Sequence, residues 1–399
     1  MDNTPYVSVE KTAATSLWKN RQPSLLGQLD MELTERCNNN CQHCYINLPE
    51  DDLRAKAKEL SLSRIKQILQ EAVSLGCLRV RFTGGEPFLR PDFPEIYLAA
   101  RRMGLRVLIF TNATLVTPEL AQLFSRVPPL EKIEVTVYGM CRDSYEQVTR
   151  NPGSFSAAQN GIDLLLRHKI SFMVKGALLP PNKPEMEEFK VWAKNLVGME
   201  DNPPYAMFLD LSCRRDEKRN RLIRALRIDP KEGLDFLTSN KSAYIKSMKQ
   251  FCAKFMAASG ENIFCCGSGM GGASVDAYGV LQPCLLLRHP DVVYDLEKGS
   301  LRDAMENFFP AMRRGKSDNA EYLARCARCF LKGLCEQCPA KSWMEHGTLD
   351  TPVEYHCNIA HLQARFMGLI GENELAWEVV DGKSRVEKFV NQAEQPAPA

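Results

Sequence analysis

The chain has 399 residues, of which 44% are apolar and 25% are charged, and its formal net charge is +2. These values are average for soluble globular proteins, so they exclude global disorder and argue against a protein that coats a nucleic acid. Because there is neither a run of 18 apolar residues nor a signal peptide, we expect a cytoplasmic protein that binds no membrane.

Six short apolar runs in the first half of the chain predict β-strands, and helical patterns lie between them. The clearest helix begins after Ser61, a suitable N-cap, and ends at Gly76. Six strand–helix units predict parallel strands, and six are too few to close an eight-stranded barrel. We therefore expect an α/β fold, an open partial (β/α)6 barrel. The predicted strands are residues 27–33, 78–82, 106–110, 132–137, 171–178 and 205–211.

The strand–helix alternation stops after the sixth strand, and charged helical sequence and then cysteine-rich sequence follow it. The basic residues that follow position 213 alternate with acidic ones, which predicts a solvated helix rather than an anion-binding surface. The predicted organisation is an N-terminal extension (1–27), the barrel (28–215), a helical bridge (216–260), a cysteine-rich domain (261–365) and a C-terminal helix with a tail (366–399).

Fifteen cysteines are an unusual number, and in a chain without an export signal they indicate metal or redox chemistry rather than disulfides. The first group, Cys37-x3-Cys41-x2-Cys44, follows the first predicted strand, at the end of the barrel where active sites lie. Three thiolates can bind three irons of one cubane and leave the fourth iron open to a ligand. Zinc is the alternative, with the adjacent His43 as a fourth ligand, but the spacing fits no usual zinc finger.

The tetrapeptide Gly84-Gly85-Glu86-Pro87 follows the second predicted strand. Taken alone it could be any tight turn. Beside the cysteine loop, however, glycine lets the backbone approach a ligand closely and a carboxylate can face an ammonium group. An open iron beside such a groove would suit the amino and carboxylate groups of S-adenosylmethionine (AdoMet).

These two motifs together resemble the radical AdoMet enzymes. The resemblance implies a 4Fe-4S cluster whose unique iron binds the methionine moiety, and a reductive cleavage that yields a 5′-deoxyadenosyl radical. It also implies that His43 lies beside the adenine, and that Asn112 and Thr136 contact the ribose or the methionine. Asn and Thr at strand ends also serve as caps, which is the alternative for these two residues.

The second cysteine-rich region contains Cys266, Gly279-x4-Cys284, then Cys326-x2-Cys329-x5-Cys335-x2-Cys338, and finally Cys357. Zinc ribbons also use paired C-x2-C motifs, but they separate the pairs by about 15 to 20 residues rather than five. The spacing resembles the SPASM extension of radical AdoMet enzymes that mature peptides.

The SPASM resemblance implies two auxiliary 4Fe-4S clusters, and therefore three such clusters in the protein. Cys266, Cys284 and Cys338 would bind the first auxiliary cluster, and the second would be bound by Cys326, Cys329, Cys335 and Cys357. The last interval of the quartet is one residue shorter than is usual in the family. Cys252, Cys265 or an open site could complete the first auxiliary cluster, and we favour Cys252 because adjacent residues of an extended chain diverge.

Two further cysteines are candidate catalytic residues. Cys141 follows the fourth predicted strand and Cys213 follows the sixth, so both are expected to face the barrel mouth, where a thiol can exchange a hydrogen atom. By contrast, Cys77 is expected to be a small core residue.

The sequence therefore predicts a radical AdoMet enzyme that modifies a ribosomally made precursor peptide, with net oxidation or crosslinking as the outcome. A flavodoxin- or ferredoxin-type reductant is implied. Because 27 residues are too few for a leader-binding domain, a separate leader-recognition protein or direct leader binding is also implied. The alternatives are a sulfatase-maturing enzyme, an enzyme acting on a small molecule, and a non-catalytic iron–sulfur electron-transfer protein.

Overall fold

The computed structural model describes residues 25–199, 203–256, 259–335 and 338–391. The chain divides into two compact units. The first contains the described residues up to Leu226 together with Gly267–Met312, and the second contains Arg227–Cys266 and the residues from Arg313 onward. This division differs from the predicted one, because Gly267–Met312 was placed in the cysteine-rich domain.

The β-strands of the described chain all belong to the first unit. They are β1 (Leu26–Thr34), β2 (Arg36–Cys37), β3 (Leu48–Pro49), β4 (Arg79–Gly84), β5 (Arg106–Thr111), β6 (Ile133–Val137), β7 (Phe172–Ala177), β8 (Tyr205–Ala206), β9 (Gly271–Val275), β10 (Val280–Gln282) and β11 (Tyr294–Asp295).

The helices lie between and after these strands. In the first unit, before the second unit begins, they are α1 (Leu53–Lys58), α2 (Leu62–Ser74), α3 (Phe93–Arg102), α4 (Pro118–Arg126), α5 (Arg142–Thr149), α6 (Ser154–Arg167), α7 (Met186–Lys194) and α8 (Glu217–Leu226). Later in the chain are α9 (Pro230–Leu237), α10 (Lys241–Phe255), α11 (Leu301–Asp303), α12 (Phe309–Met312), α13 (Ala320–Ala324), α14 (Pro339–His346), α15 (Glu354–Phe366) and α16 (Gly382–Asn391).

Nine of the strands form one sheet in the order β11-β10-β9-β1-β4-β5-β6-β7-β8. Every pair from β9 to β8 is parallel, and only β10 and β11 at one edge are antiparallel. Strand β9 pairs with the outer edge of β1, which is why Gly267–Met312 belongs to the first unit.

The predicted partial barrel is confirmed. All six predicted strands are present, as β1 and β4 to β8, and at least one helix follows each of them before the next. The predicted N-cap is also confirmed, since the Ser61 hydroxyl accepts a hydrogen bond of 3.2 Å from the backbone N–H of Arg64. Gly76 ends this helix with a φ of 91°.

The barrel strands have one apolar face and one polar face. Residues such as Leu29, Val80 and Val107 are fully buried, as expected for the face that helices cover. The alternate positions of the strands carry ion pairs, among them Glu134 with Lys175 at 2.8 Å. The polar face therefore lines the inside of the barrel, where a polar ligand can be held.

The second unit is helical where the structure describes it. Its core contains Tyr244 and Met248 from α10, Leu331, Ala364 from α15 and Phe389 from α16. No helix in the described part of either unit is long and apolar enough to cross a membrane.

Candidate active site

Cys37, Cys41 and Cys44 line one cavity of about 580 Å³ in the first unit. The carboxyl ends of strands β4 to β7 line the same cavity, as expected for parallel strands that meet at one edge. The volume lies within the usual range for cofactor and substrate pockets, about 300 to 1,000 Å³.

The three thiols are surrounded by groups that favour sulfur bound to a metal. Burial raises the pKa of Cys37 and Cys44, and it raises the pKa of Cys41 to about 12, so the free thiols are neutral. Sγ of Cys37 accepts a hydrogen bond from the backbone N–H of Asn39 at 3.4 Å, and Sγ of Cys44 accepts one from Asn47 at 3.4 Å. Buried thiolates need a nearby positive charge, which an iron cluster supplies, so the donor set fits such a cluster.

Two arginines of the basic segment after residue 213 hold the cysteine loop in place. Arg219 donates to the backbone carbonyl of Cys44 at 3.0 Å and to Oδ1 of Asn47 at 2.6 Å. Arg214 donates to the carbonyl of Ile46 at 2.6 Å. The segment forms a mostly exposed helix, as predicted, but these two arginines also bind the cysteine loop, and no local pattern marks a contact that spans about 170 residues of sequence.

A buried ion cluster stands beside the start of the cysteine loop. Arg288 donates to Glu32 at 2.6 Å and to Glu35 at 2.7 Å, and Arg214 pairs with the second oxygen of Glu35. Both glutamates are 1% exposed, so their charges require these partners. No local pattern in the sequence indicates this cluster, because its members are far apart in the chain.

Gly84, the last residue of β4, and the following Gly85 leave no room for a side chain. A Cβ on Gly84 would lie 2.0 Å from the carbonyl oxygen of Thr34, and one on Gly85 would lie 2.1 Å from that of Arg36. Gly84 also has a φ of 127°, which L-residues rarely adopt. Both glycines line the cavity.

Glu86 differs from the expectation that its carboxylate faces the ligand. The side chain is 0% exposed, and neither Glu86 nor Pro87 is among the residues that line the cavity. One carboxylate oxygen accepts from the Thr111 hydroxyl at 2.8 Å and from the Phe88 N–H at 3.2 Å, and the other accepts from the Asn112 N–H at 2.8 Å. Glu86 thus joins the end of β4 to the end of β5. Burial raises its pKa to about 7.

His43, Asn112 and Thr136 all line the cavity, and two polar atoms in its wall have no partner. The His43 ring contacts the edge of Tyr138 at a centroid distance of 5.5 Å, and burial lowers the pKa of His43 to about 4, so the ring is neutral. Nδ1 of His43 and Nδ2 of Asn39 are buried without hydrogen-bond partners. Such atoms are rare in folded proteins, and a polar ligand such as AdoMet would satisfy them.

The two candidate catalytic thiols do not line this cavity. Cys213 is 0% exposed, and its Sγ donates to the Tyr45 carbonyl at 3.5 Å. Cys141 is exposed and donates to Oε1 of Glu185 at 3.1 Å. Both residues follow strands, as predicted, but neither is among the residues that line the cavity.

In the second unit, Cys326, Cys329, Cys335, Cys338 and Cys357 line a common cavity. Arg325, Lys332 and Lys341 line it as well, so positive charge surrounds the thiols. The charge and the donor set fit an anionic iron–sulfur cluster. No three His, Cys, Asp or Glu side chains in the described residues are spaced to hold a single metal ion.

The remaining predicted ligands are less closely grouped. Cys252 is buried among the apolar side chains of the second-unit core, and burial raises its pKa to about 11. The Cys265 thiol donates to the Asn262 carbonyl at 3.2 Å, and Cys266 is exposed. Cys284 belongs to the first unit. The ligand set of the first auxiliary cluster stays a prediction, and the packing of Cys252 is that of a core residue.

Comparison with known proteins agrees with this site. Residues 31–193 match the family model of the Radical SAM superfamily. This region contains the cysteine loop, the two glycines and the barrel strands β4 to β7. A radical SAM domain implies AdoMet and one 4Fe-4S cluster.

Two relatives and one solved structure describe what the chain is similar to. An AdoMet-dependent heme synthase of Methanosarcina barkeri is 26% identical over 331 residues, which are 79% of this chain and 92% of that protein. A PqqA peptide cyclase of Gluconobacter oxydans is 40% identical over 93 residues, 23% of this chain and 25% of that protein. The structure of native anSMEcpe with bound AdoMet and Cp18Cys peptide has a TM-score of 0.57 at 16% identity, and the match covers 86% of this chain and 97% of that one. This last match concerns the fold alone.

Proposed function

We propose that the protein is a radical AdoMet enzyme that oxidises a residue of a ribosomally made precursor peptide. The observation that carries the proposal is the convergence of three thiols, two glycines and the unpartnered Nδ1 of His43 on one cavity. A reduced 4Fe-4S cluster bound there supplies the electron that cleaves AdoMet to methionine and the 5′-deoxyadenosyl radical.

The residues of the chain have separate roles in this proposal. Cys37, Cys41 and Cys44 hold the cluster, and the backbone at Gly84 and Gly85 accommodates the methionine amino group. The neutral His43 ring and the Asn39 amide offer hydrogen bonds to polar groups of AdoMet. These groups orient AdoMet inside the barrel and keep the reactive carbon away from water.

Asn112 and Thr136 stand in the cavity at the ends of β5 and β6 and are proposed to contact the ribose or the methionine. The Asn112 amide donates to Oδ1 of Asn38 at 3.0 Å and to Sγ of Cys37 at 3.7 Å, so it also couples the ligand site to the cysteine loop. Glu86 is a positioning residue, since it fixes the backbone of Asn112.

The thiols of the second unit are proposed to bind auxiliary 4Fe-4S clusters of the SPASM type, which accept an electron from the substrate. The local similarity to a peptide cyclase and the fold shared with a peptide-bound structure support a peptide substrate. The partners proposed with it are a flavodoxin- or ferredoxin-type reductant and either a leader-recognition protein or direct leader binding.

A small-molecule substrate is the second candidate, and the similarity to a heme synthase over 79% of the chain favours it. The two candidates share AdoMet cleavage and differ in the molecule that is modified.

Product mass separates the candidates. The anaerobically reconstituted protein is reduced with dithionite and incubated with AdoMet and with synthetic peptides encoded by short reading frames beside its gene. A parallel reaction contains an iron porphyrin with carboxylate side chains. A peptide that loses two hydrogens supports the proposal, whereas an oxidised porphyrin with unchanged peptides supports the second candidate. An unchanged peptide mass with solvent deuterium at an α-carbon would show epimerisation and contradict net oxidation.

A further inference from the structure

Two nitrogen atoms lie close to the thiol of Cys357, in the first turn of α15. Nη2 of Arg325 lies 3.8 Å from Sγ of Cys357, within hydrogen-bond reach of sulfur. Nδ1 of His361 lies 3.6 Å from the same Sγ and 2.9 Å from the Cys357 carbonyl oxygen. The function proposed above assigns neither residue a role.

The hydrogen bonds of His361 fix which ring nitrogen carries the proton. Nε2 accepts a hydrogen bond of 3.2 Å from the backbone N–H of Ala376, so Nε2 is unprotonated. The proton of the ring is therefore on Nδ1, which points toward Cys357. His361 is thus a built-in N–H donor to the carbonyl and the sulfur of that residue.

Arg325 is held in position by three partners. Its guanidinium is bonded to Glu354 at 2.6 Å and to Glu321 at 2.7 Å, and it packs over the Trp377 ring at 4.7 Å. The side chain of Arg325 is 20% exposed, while both glutamates are at least half exposed. Of these three charged groups, the guanidinium is the one within hydrogen-bond reach of Sγ of Cys357, and the two carboxylates are the more exposed to screening by water.

We propose that Arg325 and His361 raise the reduction potential of the cluster held by Cys326, Cys329, Cys335 and Cys357, and so make it the electron acceptor for the substrate radical. Hydrogen bonds to ligating sulfur and nearby positive charge both stabilise the more negative, reduced state of an iron–sulfur cluster. The inference rests on the proposed function, because it requires that these four thiols hold a cluster.

In this proposal the substrate loses two electrons and two protons. The 5′-deoxyadenosyl radical removes one hydrogen atom from a substrate C–H bond. The substrate radical would then give up one electron, which the cluster held by these thiols would accept, and one proton would go to water, so the substrate would lose two hydrogens in total. An oxidised carrier of the flavodoxin or ferredoxin type would take the electron onward.

The test is a redox titration of the anaerobically reconstituted full-length protein, followed by electron paramagnetic resonance. Arg325→Gln should shift the midpoint potential of one cluster to a more negative value, and Arg325→Lys, which keeps the charge, should restore part of the shift. His361→Phe should shift the same potential in the same direction. Arg328→Gln is the matched control, because Arg328 is exposed on the same segment, and it should leave the potential unchanged.

The outcomes that would overturn the inference are distinct. If Arg325→Gln keeps its iron and the midpoint potential is unchanged, Arg325 does not tune the cluster. Iron content and the Arg325→Lys variant distinguish this result from a failure to fold. If Cys357→Ala retains all its iron and an unchanged spectrum, Cys357 holds no cluster, and both the ligand assignment and the inference fall while AdoMet cleavage in the first unit still stands.

Discussion

The carboxylate of Glu86 accepts a hydrogen bond of 2.8 Å from the backbone N–H of Asn112, and this bond joins the ends of two neighbouring strands beneath the cavity. The same carboxylate also accepts hydrogen bonds from the hydroxyl of Thr111 and from the backbone N–H of Phe88. Glu86 therefore holds the ends of β4 and β5 together. The part of its motif that lines the cavity is formed by the two preceding glycines.

Glu86→Gln should remove a pH dependence of stability. Burial raises the Glu86 pKa from 4.5 to about 7, so the folded protein holds a proton that the unfolded chain releases. The wild type therefore becomes less stable as the pH rises from about 4.5 to 7, and its free energy of unfolding falls by on the order of 3 kcal/mol. Urea denaturation of both iron-free proteins at the two ends of this range measures the difference. If the free energies of unfolding of the two proteins differ by the same amount at both pH values, the pKa of Glu86 is not raised in the folded protein.

Gly85→Ala should abolish AdoMet binding and lower stability by about 1 to 3 kcal/mol, the usual cost of overpacking. The new Cβ would meet backbone atoms of Arg36, which cannot move without moving the cysteine loop. Gly272→Ala is the control, because its Cβ would lie 3.8 Å from the nearest atom. Calorimetric titration with AdoMet measures the effect, and equal affinity in the two variants would show that the close approach has no role in binding.

Arg219→Gln should loosen the cysteine loop and speed the loss of iron. The guanidinium holds both Cys44 and Asn47, and each hydrogen bond to a charged group contributes about 1.5 to 3 kcal/mol. Arg221→Gln changes an exposed arginine on the same helix and serves as the control. The measurement is the decay of visible absorbance after addition of a chelator. Identical decay in the two variants would mean that Arg219 does not support the cluster.

Cys141→Ala and Cys213→Ala should each retain product formation. Neither thiol lines the cavity, so neither can reach a substrate radical there. Cys213→Ala should cost about 1 kcal/mol of stability through the small cavity it leaves. Product and 5′-deoxyadenosine are measured together. If either variant still releases 5′-deoxyadenosine but forms no product, that thiol takes part in the chemistry.

Local patterns were sufficient to predict the barrel and the two cysteine-rich regions. The helix capped by Ser61 and the six strands follow from spacing and caps that are visible in the sequence, and the spacing of Cys37, Cys41 and Cys44 by itself indicates a cluster. These features depend on residues that are close in the chain.

The parts of the site that sequence analysis missed depend on distant residues. Nothing near Arg219 shows that it reaches Cys44, and nothing in Gly271–Val275 shows that it extends the barrel sheet beside β1. The direction of the Glu86 side chain could not be predicted either, because a carboxylate after two glycines can face either the ligand or the neighbouring strand.

The central claim is that this chain cleaves AdoMet with an iron–sulfur cluster held by Cys37, Cys41 and Cys44. The direct measurement is 5′-deoxyadenosine formation by the reconstituted protein under dithionite, compared with the Cys37→Ala, Cys41→Ala, Cys44→Ala triple variant. We predict equal amounts of 5′-deoxyadenosine and methionine from the wild type, and none from the triple variant, which should lose about a third of roughly 12 irons. Continued cleavage by the triple variant, or no cleavage by the fully iron-loaded wild type, would contradict the account.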